Sequence, residues 1–155
     1  MTNNDILRRL RYAFHYPDVK MAQIIAHTGV EVTPEQVKCW LLKDAEEGYQ
    51  EISDTDLCRF LDGLIIEKRG NRPDGMVPEP LKFLSTNESL KKLRIALELR
   101  EEEMLEVFER VEFVVTKAEL GSFFRKQGHR NFAKCPEQVL RKFIQGLAKA
   151  REEAE

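Results

Sequence analysis

A basic stretch with interspersed aromatic residues offers the clearest chemistry in this sequence. Residues 117–151 hold nine Lys or Arg side chains and only two Glu. Cationic side chains neutralise phosphates and aromatic rings stack on bases, so this composition is typical of a surface that binds a nucleic-acid backbone. The candidate contacts are Arg125, Lys126, Arg130, Lys134, Arg141 and Lys142, with Phe124 and Phe132 among them. The alternative is charge compensation within the chain, which the net charge of −2 favours.

Arg11 and Arg94 lie beside the apolar stripe of a predicted helix, at equivalent places in the two halves of the chain. We expect each to form an ion pair with a carboxylate of its own half and to pack its aliphatic stem on the core. The functional alternative is an anion-binding site that is present in both halves.

Signatures of enzymes and of metal sites are absent. There is no glycine-rich phosphate loop, no HExxH, no GxSxG and no zinc spacing. His15, His27 and His129 are far apart, and we interpret them as helix-end or turn residues. Glu101–Glu103 point in different directions on a helix, which indicates a solvated face. The sequence therefore predicts no catalytic residue, no cofactor, no metal and no enzymatic activity.

The three cysteines, Cys39, Cys58 and Cys135, form no CxxC pair. We expect reduced thiols that are at least partly buried. Cys135 precedes Pro136 at a predicted helix start, so it is the one candidate for a reactive thiol, because a helix N-terminus lowers a thiol pKa.

The composition is that of a globular protein, with 42% hydrophobic and 34% charged residues. No apolar run approaches the roughly 20 residues that span a bilayer. The first residues are polar and no signal-peptide core follows them. We therefore expect a cytoplasmic protein that does not bind a membrane.

An internal repeat organises the chain. Residues 4–69 align with residues 87–152 at a constant offset of 83, and most matched positions are apolar or capping residues. The first copy holds nine basic and twelve acidic side chains, whereas the second holds fourteen basic and eleven acidic ones. The predicted units are a first repeat (1–69), a Pro/Gly-rich linker (70–86) and a second repeat (87–155). We expect Leu81, Phe83 and Leu84, at the end of the linker, to dock on a domain.

In each copy, apolar residues recur at helical spacing, and this pattern predicts four helices. In the first copy they cover about Asp5–His15, Asp18–Thr28, Pro34–Asp44 and Asp54–Arg69. The second and third form a helical hairpin, with a DNA-binding helix-turn-helix as the alternative. In the second copy the fourth helix begins at Pro136.

Several paired residues predict local features of both copies. Asn4 and Asn87 are expected helix caps, and Thr33 and Thr116 are expected to begin capping boxes. Gly48 and Asn131 predict a shared helix stop or tight turn. Glycine inside a helix lowers its stability, so Gly63 and Gly146 predict a close approach of a neighbouring helix, with a local kink as the alternative.

Three segments resemble the bacterial YehS-like family, which carries a domain of unknown function (1456) twice in tandem. They are Asn4-Asp5-Ile6-Leu7-Arg8, Trp40-Leu41-x-Lys43 and Phe60-Leu61-x-Gly63-Leu64-Ile65-x-x-Lys68-Arg69-Gly70. The resemblance implies the tandem fold and a bacterial cytosolic setting, and it transfers no site residue.

We therefore expect an all-α protein of two tandem four-helix units with an internal pseudo-two-fold repeat. The leading functional hypothesis is a non-enzymatic helical binding or adaptor module for a protein partner, which would occupy a groove or concave face. The alternative is nucleic-acid binding through the basic second repeat or through helix-turn-helix-like elements.

Overall fold

Eight α-helices make up the regular secondary structure of the chain, and there is no β-strand. The computed structural model describes residues 1–155. The helices are α1 (Asn3–Phe14), α2 (Asp18–Ala26), α3 (Pro34–Leu41), α4 (Asp54–Arg69), α5 (Thr86–Leu97), α6 (Glu101–Glu109), α7 (Lys117–Phe123) and α8 (Glu137–Ala154). Four helices fall in each sequence repeat, so the protein is all-α and consists of two tandem four-helix units, as predicted.

Hydroxyl side chains begin several of the helices. Thr2, Ser53 and Ser85 precede α1, α4 and α5, and each hydroxyl oxygen accepts a hydrogen bond from the backbone N–H three residues later. The prediction that Asn4 and Asn87 cap their helices is wrong, because both lie in the second position of the helix and are buried. Capping by the hydroxyl leaves each asparagine amide free to bond inside the protein.

Each buried asparagine ties the loop after the third helix of its repeat to the first helix. The Asn4 Nδ2 donates to the carbonyl oxygens of Trp40 at 2.9 Å and Gln50 at 2.8 Å, and its Oδ1 accepts from the Ile52 N–H at 3.2 Å. Asn87 makes the equivalent three bonds in the second repeat, and its partners are Phe123, Ala133 and Cys135. Trp40 and Phe123 therefore occupy matching surroundings.

The predicted capping boxes are complete in one repeat only. Thr116 and Glu119 exchange both bonds between side chain and backbone at the start of α7. At the start of α3, the Thr33 hydroxyl accepts from the Gln36 N–H, but the Gln36 side chain donates instead to Gln50 at 2.7 Å. The difference arises because a second glutamine lies within reach of Gln36.

The predicted shared turn at Gly48 and Asn131 is half right. Gly48 has a φ of +93°, whereas Asn131 is not left-handed and Gly128 makes the left-handed turn of the second repeat, with a φ of +97°. Because α3 already ends at Leu41, Gly48 belongs to the following loop and does not stop the helix.

The two mid-helix glycines mark close helix crossings, as predicted. A Cβ built on Gly63 would lie 2.0 Å from the carbonyl oxygen of Ile24, and one on Gly146 would lie 2.3 Å from that of Val107. These positions bring α2 against α4 and α6 against α8. Only glycine allows backbones to approach this closely.

The repeats are joined along two seams, in which the first helix of one repeat lies beside the fourth helix of the other. Along α1 and α8, the Met1 ammonium contacts Glu137 at 2.8 Å near the helix starts, and the Tyr12 hydroxyl contacts Glu152 at 2.5 Å near the helix ends. These two contacts show that α1 and α8 run parallel. α1 also packs more extensively on α8 than on α4 of its own repeat.

The seam between α4 and α5 has the same geometry. The Leu84 N–H donates to Asp54 at 2.8 Å near the helix starts, and Arg69 pairs with Glu98 at 3.4 Å near the helix ends. The first turns of these parallel helices carry acidic side chains, which offset the positive ends of their dipoles. One hydrophobic core contains buried residues from all eight helices, so the repeats share a single interior.

The linker runs from α4 to α5 without forming a helix. Leu84 packs against the core and Leu81 is half-buried, as expected of an end that docks. The expectation is wrong for Phe83, whose side chain is 86% exposed. None of the eight helices combines the length and the hydropathy that a bilayer crossing requires.

Candidate functional site

A groove of about 840 Å³ opens between the linker, the start of α5, the end of α7 and the segment that joins α7 to α8. We call it the second-repeat groove. The residues that give it its chemistry are Phe83, Lys91, Phe124, Arg125, Lys126 and Phe132. A cavity of this volume is within the range of ligand sites.

Phenylalanine rings form the apolar part of the second-repeat groove. Phe83 projects from the linker, Phe123 forms the floor and is only 7% exposed, and Phe124 and Phe132 are half-buried. The Arg94 guanidinium lies 4.6 Å from the centre of the Phe124 ring. This cation–π contact holds that ring in place from outside the groove.

Three cations surround these rings. Lys91, Arg125 and Lys126 are exposed, and none of their side chains forms a salt bridge or a hydrogen bond within the protein. Two acids also line the groove: Asp54 accepts bonds from inside the protein through both oxygens, and Glu88 lies on α5. The three unpaired cations and the phenylalanine rings favour a ligand with negative charge and apolar side chains.

The equivalent place in the first repeat is smaller, and its arginine is paired within the protein. This first-repeat groove has a volume of about 370 Å³, and all six of its lining residues lie 83 positions before a lining residue of the second-repeat groove. Its Arg8 is bound to the Asp5 carboxylate and to the Leu42 carbonyl oxygen. Burial alone would raise the pKa of the Asp5 carboxyl. Hydrogen bonds from Thr2 and Arg8 together outweigh burial and hold this pKa below its usual range. The Arg8 guanidinium is therefore already occupied, whereas the Lys43 ammonium forms no salt bridge.

The structure brings together two of the eight predicted contact residues, Arg125 and Lys126, and adds Lys91 to them. Arg94 lies behind Phe124, and its Nε donates to the Leu99 carbonyl oxygen at 3.0 Å. Arg11 is exposed in the last turn of α1. Neither Arg11 nor Arg94 pairs with a carboxylate, so the expectation of ion pairs is wrong for both.

The other predicted contacts lie outside the second-repeat groove. Arg130 and Lys134 are exposed between α7 and α8, Arg141 bonds to the Gln138 side chain at 2.7 Å, and Lys142 is half-buried on α8. The basic stretch of the sequence therefore does not form one continuous set of groove residues.

Sequence reasoning missed Lys91 and Phe83 as groove residues. Lys91 aligns with Arg8 at the offset of 83, so the available signal was a basic residue at the same position of both repeats, and only the structure shows that Arg8 lines a groove. No comparable signal exists for Phe83, because the sequence does not distinguish an apolar linker residue that is buried from one that is exposed.

Cysteine and histidine chemistry does not contribute to the groove. Cys135 is only 1% exposed, and burial raises the pKa of its thiol to about 12, so neither access nor charge favours the reactive-thiol alternative. All three cysteines are unpaired. The His129 Nδ1 accepts from the Asn131 N–H, as expected of a turn residue. No group of three or more His, Cys, Asp or Glu side chains is arranged to hold a metal ion.

Comparison with known proteins agrees with the repeat. The family model described as "Protein of unknown function (DUF1456)" matches the chain twice, over residues 3–70 and 86–151. The chain is 40% identical over 148 residues to the "Uncharacterized protein YehS" of Escherichia coli (strain K12), and the match covers 96% of this chain and 95% of that protein. No solved structure matches the chain. The chain therefore belongs to the DUF1456 family of tandem-domain proteins.

Proposed function

We propose that this chain is a non-enzymatic binding module that holds an acidic, partly apolar segment of a protein partner in the second-repeat groove. The observation that supports the proposal is the set of three unpaired cations, Lys91, Arg125 and Lys126, around half-buried phenylalanine rings. Aromatic side chains and arginine are enriched at protein interfaces.

The shape and charge of the groove favour a polypeptide segment. Half-buried Phe124 and Phe132 leave apolar surface that a leucine or aromatic side chain of a partner can cover. Carboxylates beside that side chain would pair with the surrounding cations and orient the segment. Because the rings lie within a groove, both interactions can form at once.

Site-specific photo-crosslinking in cells tests this proposal. A photoreactive amino acid replaces Gln127, which is exposed and lines the second-repeat groove, or Asp44, its counterpart in the first-repeat groove. We expect a discrete protein adduct from position 127 that disappears when Arg125 and Lys126 are changed to Glu. Equal adducts from positions 127 and 44, or an adduct that survives the charge reversal, would contradict the proposal.

Single-stranded nucleic acid is the second candidate. The observation that favours it is the Phe83 ring, which is 86% exposed and lines the same groove as Arg125 and Lys126. An exposed ring beside cations can stack on a base while the cations contact phosphates. Fluorescence anisotropy with a labelled oligonucleotide distinguishes this candidate, because the affinity should fall steeply with salt and the Phe83→Ala variant should bind more weakly.

We also propose that the protein acts in the cytoplasm. The three unpaired cysteines support this location, because thiols in oxidising compartments are usually paired in disulfides.

A further inference from the structure

A second cavity lies at the seam between the repeats, on a different part of the molecule from the second-repeat groove. It is enclosed by α4, α5 and the linker and has a volume of about 420 Å³. We call it the linker pocket. Its apolar wall consists of Ile65, Ile66, Ile95 and Met76 with two linker prolines. This wall includes Met76, which is 62% exposed, so the pocket offers an apolar surface that a ligand would cover.

The charged residues of the linker pocket are predominantly basic. Asp62 is its only acid, whereas Arg69, Arg72 and Lys92 are its cations. Asp62 is paired with Lys92 at 2.6 Å, and their side chains are only 3% and 15% exposed. The Asp62 charge is therefore neutralised inside the seam, and the two arginines remain to define the charge that the pocket attracts.

A ligand can replace the carboxylate partners of the two arginines. Arg69 pairs with Glu98 at 3.4 Å and Arg72 pairs with Asp74 at 3.1 Å, and in both pairs each side chain is about half exposed. Exposed pairs of this kind contribute little free energy, because both partners are well solvated. An anion that also buries an apolar body in the pocket can therefore displace these carboxylates.

Bonds to α4 fix part of the linker over this seam. The Leu81 N–H donates to the Cys58 sulfur at 3.3 Å, and the Thr55 hydroxyl donates to the Leu81 carbonyl oxygen at 3.4 Å. The Cys58 thiol in turn lies 3.5 Å from Asp62. These contacts anchor the linker three residues after Pro78 and connect it to the buried ion pair, of which both members line the pocket.

The opposite seam, between α1 and α8, provides an internal comparison. At the equivalent offset, Ile65 is replaced by Ala148, Ile66 by Lys149 and Arg69 by Glu152. A cavity of about 450 Å³ exists there as well, but a hydrogen bond between Tyr12 and Glu152 spans it and its wall is largely polar. The apolar wall with excess positive charge is thus specific to the seam that the linker covers.

From this geometry we propose that the linker pocket binds a small apolar anion, a carboxylate attached to a hydrocarbon or aromatic body. The apolar body would lie against Ile65, Ile95 and Met76, and the carboxylate would lie between Arg69 and Arg72. The volume suits a small molecule, because ligand pockets range from about 300 to 1,000 Å³. This site is separate from the second-repeat groove and does not depend on the function proposed for that groove.

Nuclear magnetic resonance titration of the full chain with sodium decanoate, below its micelle concentration, tests this inference. We expect saturable shifts of the Ile65, Ile95 and Met76 methyl signals. Changing Arg69 and Arg72 together to Ala should weaken binding by about five-fold or more, since two charge contacts are lost. The exposed Lys149→Ala variant of the opposite seam should bind as the unchanged protein does.

Four results would each overturn the inference. The first is the absence of saturable shifts at the pocket methyls. The second is equal perturbation of Ala148 in the opposite seam or of Phe132 in the second-repeat groove, which would indicate unspecific association. The third is unchanged affinity in the double arginine variant with its spectrum otherwise intact. Decanol, which lacks the charge, should bind more weakly than decanoate, and equal affinity would likewise contradict an anion site.

Discussion

The two grooves, one in each repeat, occupy equivalent places and differ in what their side chains are free to do. In the first-repeat groove, Arg8 is bound to Asp5 and to a backbone carbonyl. In the second-repeat groove the equivalent residue, Lys91, has no partner. Arg125 is a further cation of this groove, and the equivalent residue of the first repeat is the apolar Leu42. The two repeats therefore share a scaffold but differ in whether the cation at this repeat position is paired within the protein.

The interiors of the repeats show the opposite behaviour. Asn4 and Asn87 make the same three bonds to the same loop positions, and Gly63 and Gly146 meet the same carbonyl of a neighbouring helix. Packing and buried hydrogen bonds allow few alternatives, whereas an exposed side chain can change with little effect on stability. Changes at these shared interior positions should therefore have equal effects in the two repeats, and changes at the surface should not.

The largest expected effect comes from filling the helix crossings. Gly63→Ala and Gly146→Ala each place a Cβ within 2.3 Å of a backbone carbonyl oxygen, so the helices must separate. We expect each to lower the free energy of unfolding by about 3 kcal/mol or more, as measured by urea denaturation. The control is Gly121→Ala in α7, which meets nothing within 4 Å and should be neutral or stabilising by up to about 1 kcal/mol. If only one crossing proves sensitive, the two interiors are not equivalent.

The fold could be predicted from the sequence further than the site could. Helical periodicity and the offset of 83 predict the number and order of the helices, and α4 has the predicted bounds. The offset cannot show that α1 lies along α8, because equivalent apolar stripes would also pack within one repeat. The buried ion pair of Asp62 with Lys92 was not predicted either, since it joins residues of different repeats.

The groove was only partly predictable for a related reason. Charge density along the sequence selects Arg125 and Lys126, which line the groove, but it selects Arg141 and Lys142 equally, and these lie on α8 outside the groove. Which cations share a surface depends on how α7 and α8 are oriented. Whether Phe83 is buried depends on the path of the linker, and local pattern specifies neither property.

The seams should respond unequally to the loss of one cation. Lys92→Met leaves the Asp62 carboxylate buried without its partner and should lower the free energy of unfolding by about 3 kcal/mol. Arg9→Met, at the equivalent position of α1, removes an exposed cation and should change it by less than about 0.5 kcal/mol. Thermal unfolding of both variants measures the difference, and equal losses would show that the seams are energetically alike.

A left-handed residue after α6 distinguishes the repeats on a smaller scale. Glu112 has a φ of +53°, whereas Gly29 holds the equivalent position in the first repeat. Because left-handed backbone costs a residue with a Cβ about 1 kcal/mol, Glu112→Gly should stabilise the protein by up to that amount. The control, Glu106→Gly inside α6, should destabilise it by about 1 kcal/mol. Denaturation midpoints of the two variants should therefore move in opposite directions, and a shared direction would contradict this interpretation.

The smallest expected effect is a pH dependence confined to the first repeat. Hydrogen bonds from Lys20 and His27 lower the pKa of Glu67, whose equivalent in the second repeat is Ala150. A lowered pKa means that this contribution is fully present at neutral pH, and it is lost as the pH falls through the lowered folded-state pKa of Glu67. Since Glu67 is partly exposed, Glu67→Gln should destabilise the protein by less than about 1 kcal/mol at neutral pH.

Urea denaturation of the unchanged protein and the Glu67→Gln variant at pH 7 and pH 3 measures this effect. The difference in unfolding free energy should be smaller at pH 3 than at pH 7. An equal difference at the two pH values would mean that the side chain stabilises the fold by packing and not by charge.

The difference between the two grooves is tested most directly by the affinity of a bound segment. The partner sequence crosslinked at position 127 is made as a peptide, and its Kd is measured by calorimetry for three proteins. We predict that changing Arg125 and Lys126 to Glu weakens binding by about ten-fold or more, whereas Lys43→Glu, the counterpart of the Lys126 change, leaves the Kd within about two-fold. Equal weakening by both changes would show that the two grooves bind alike.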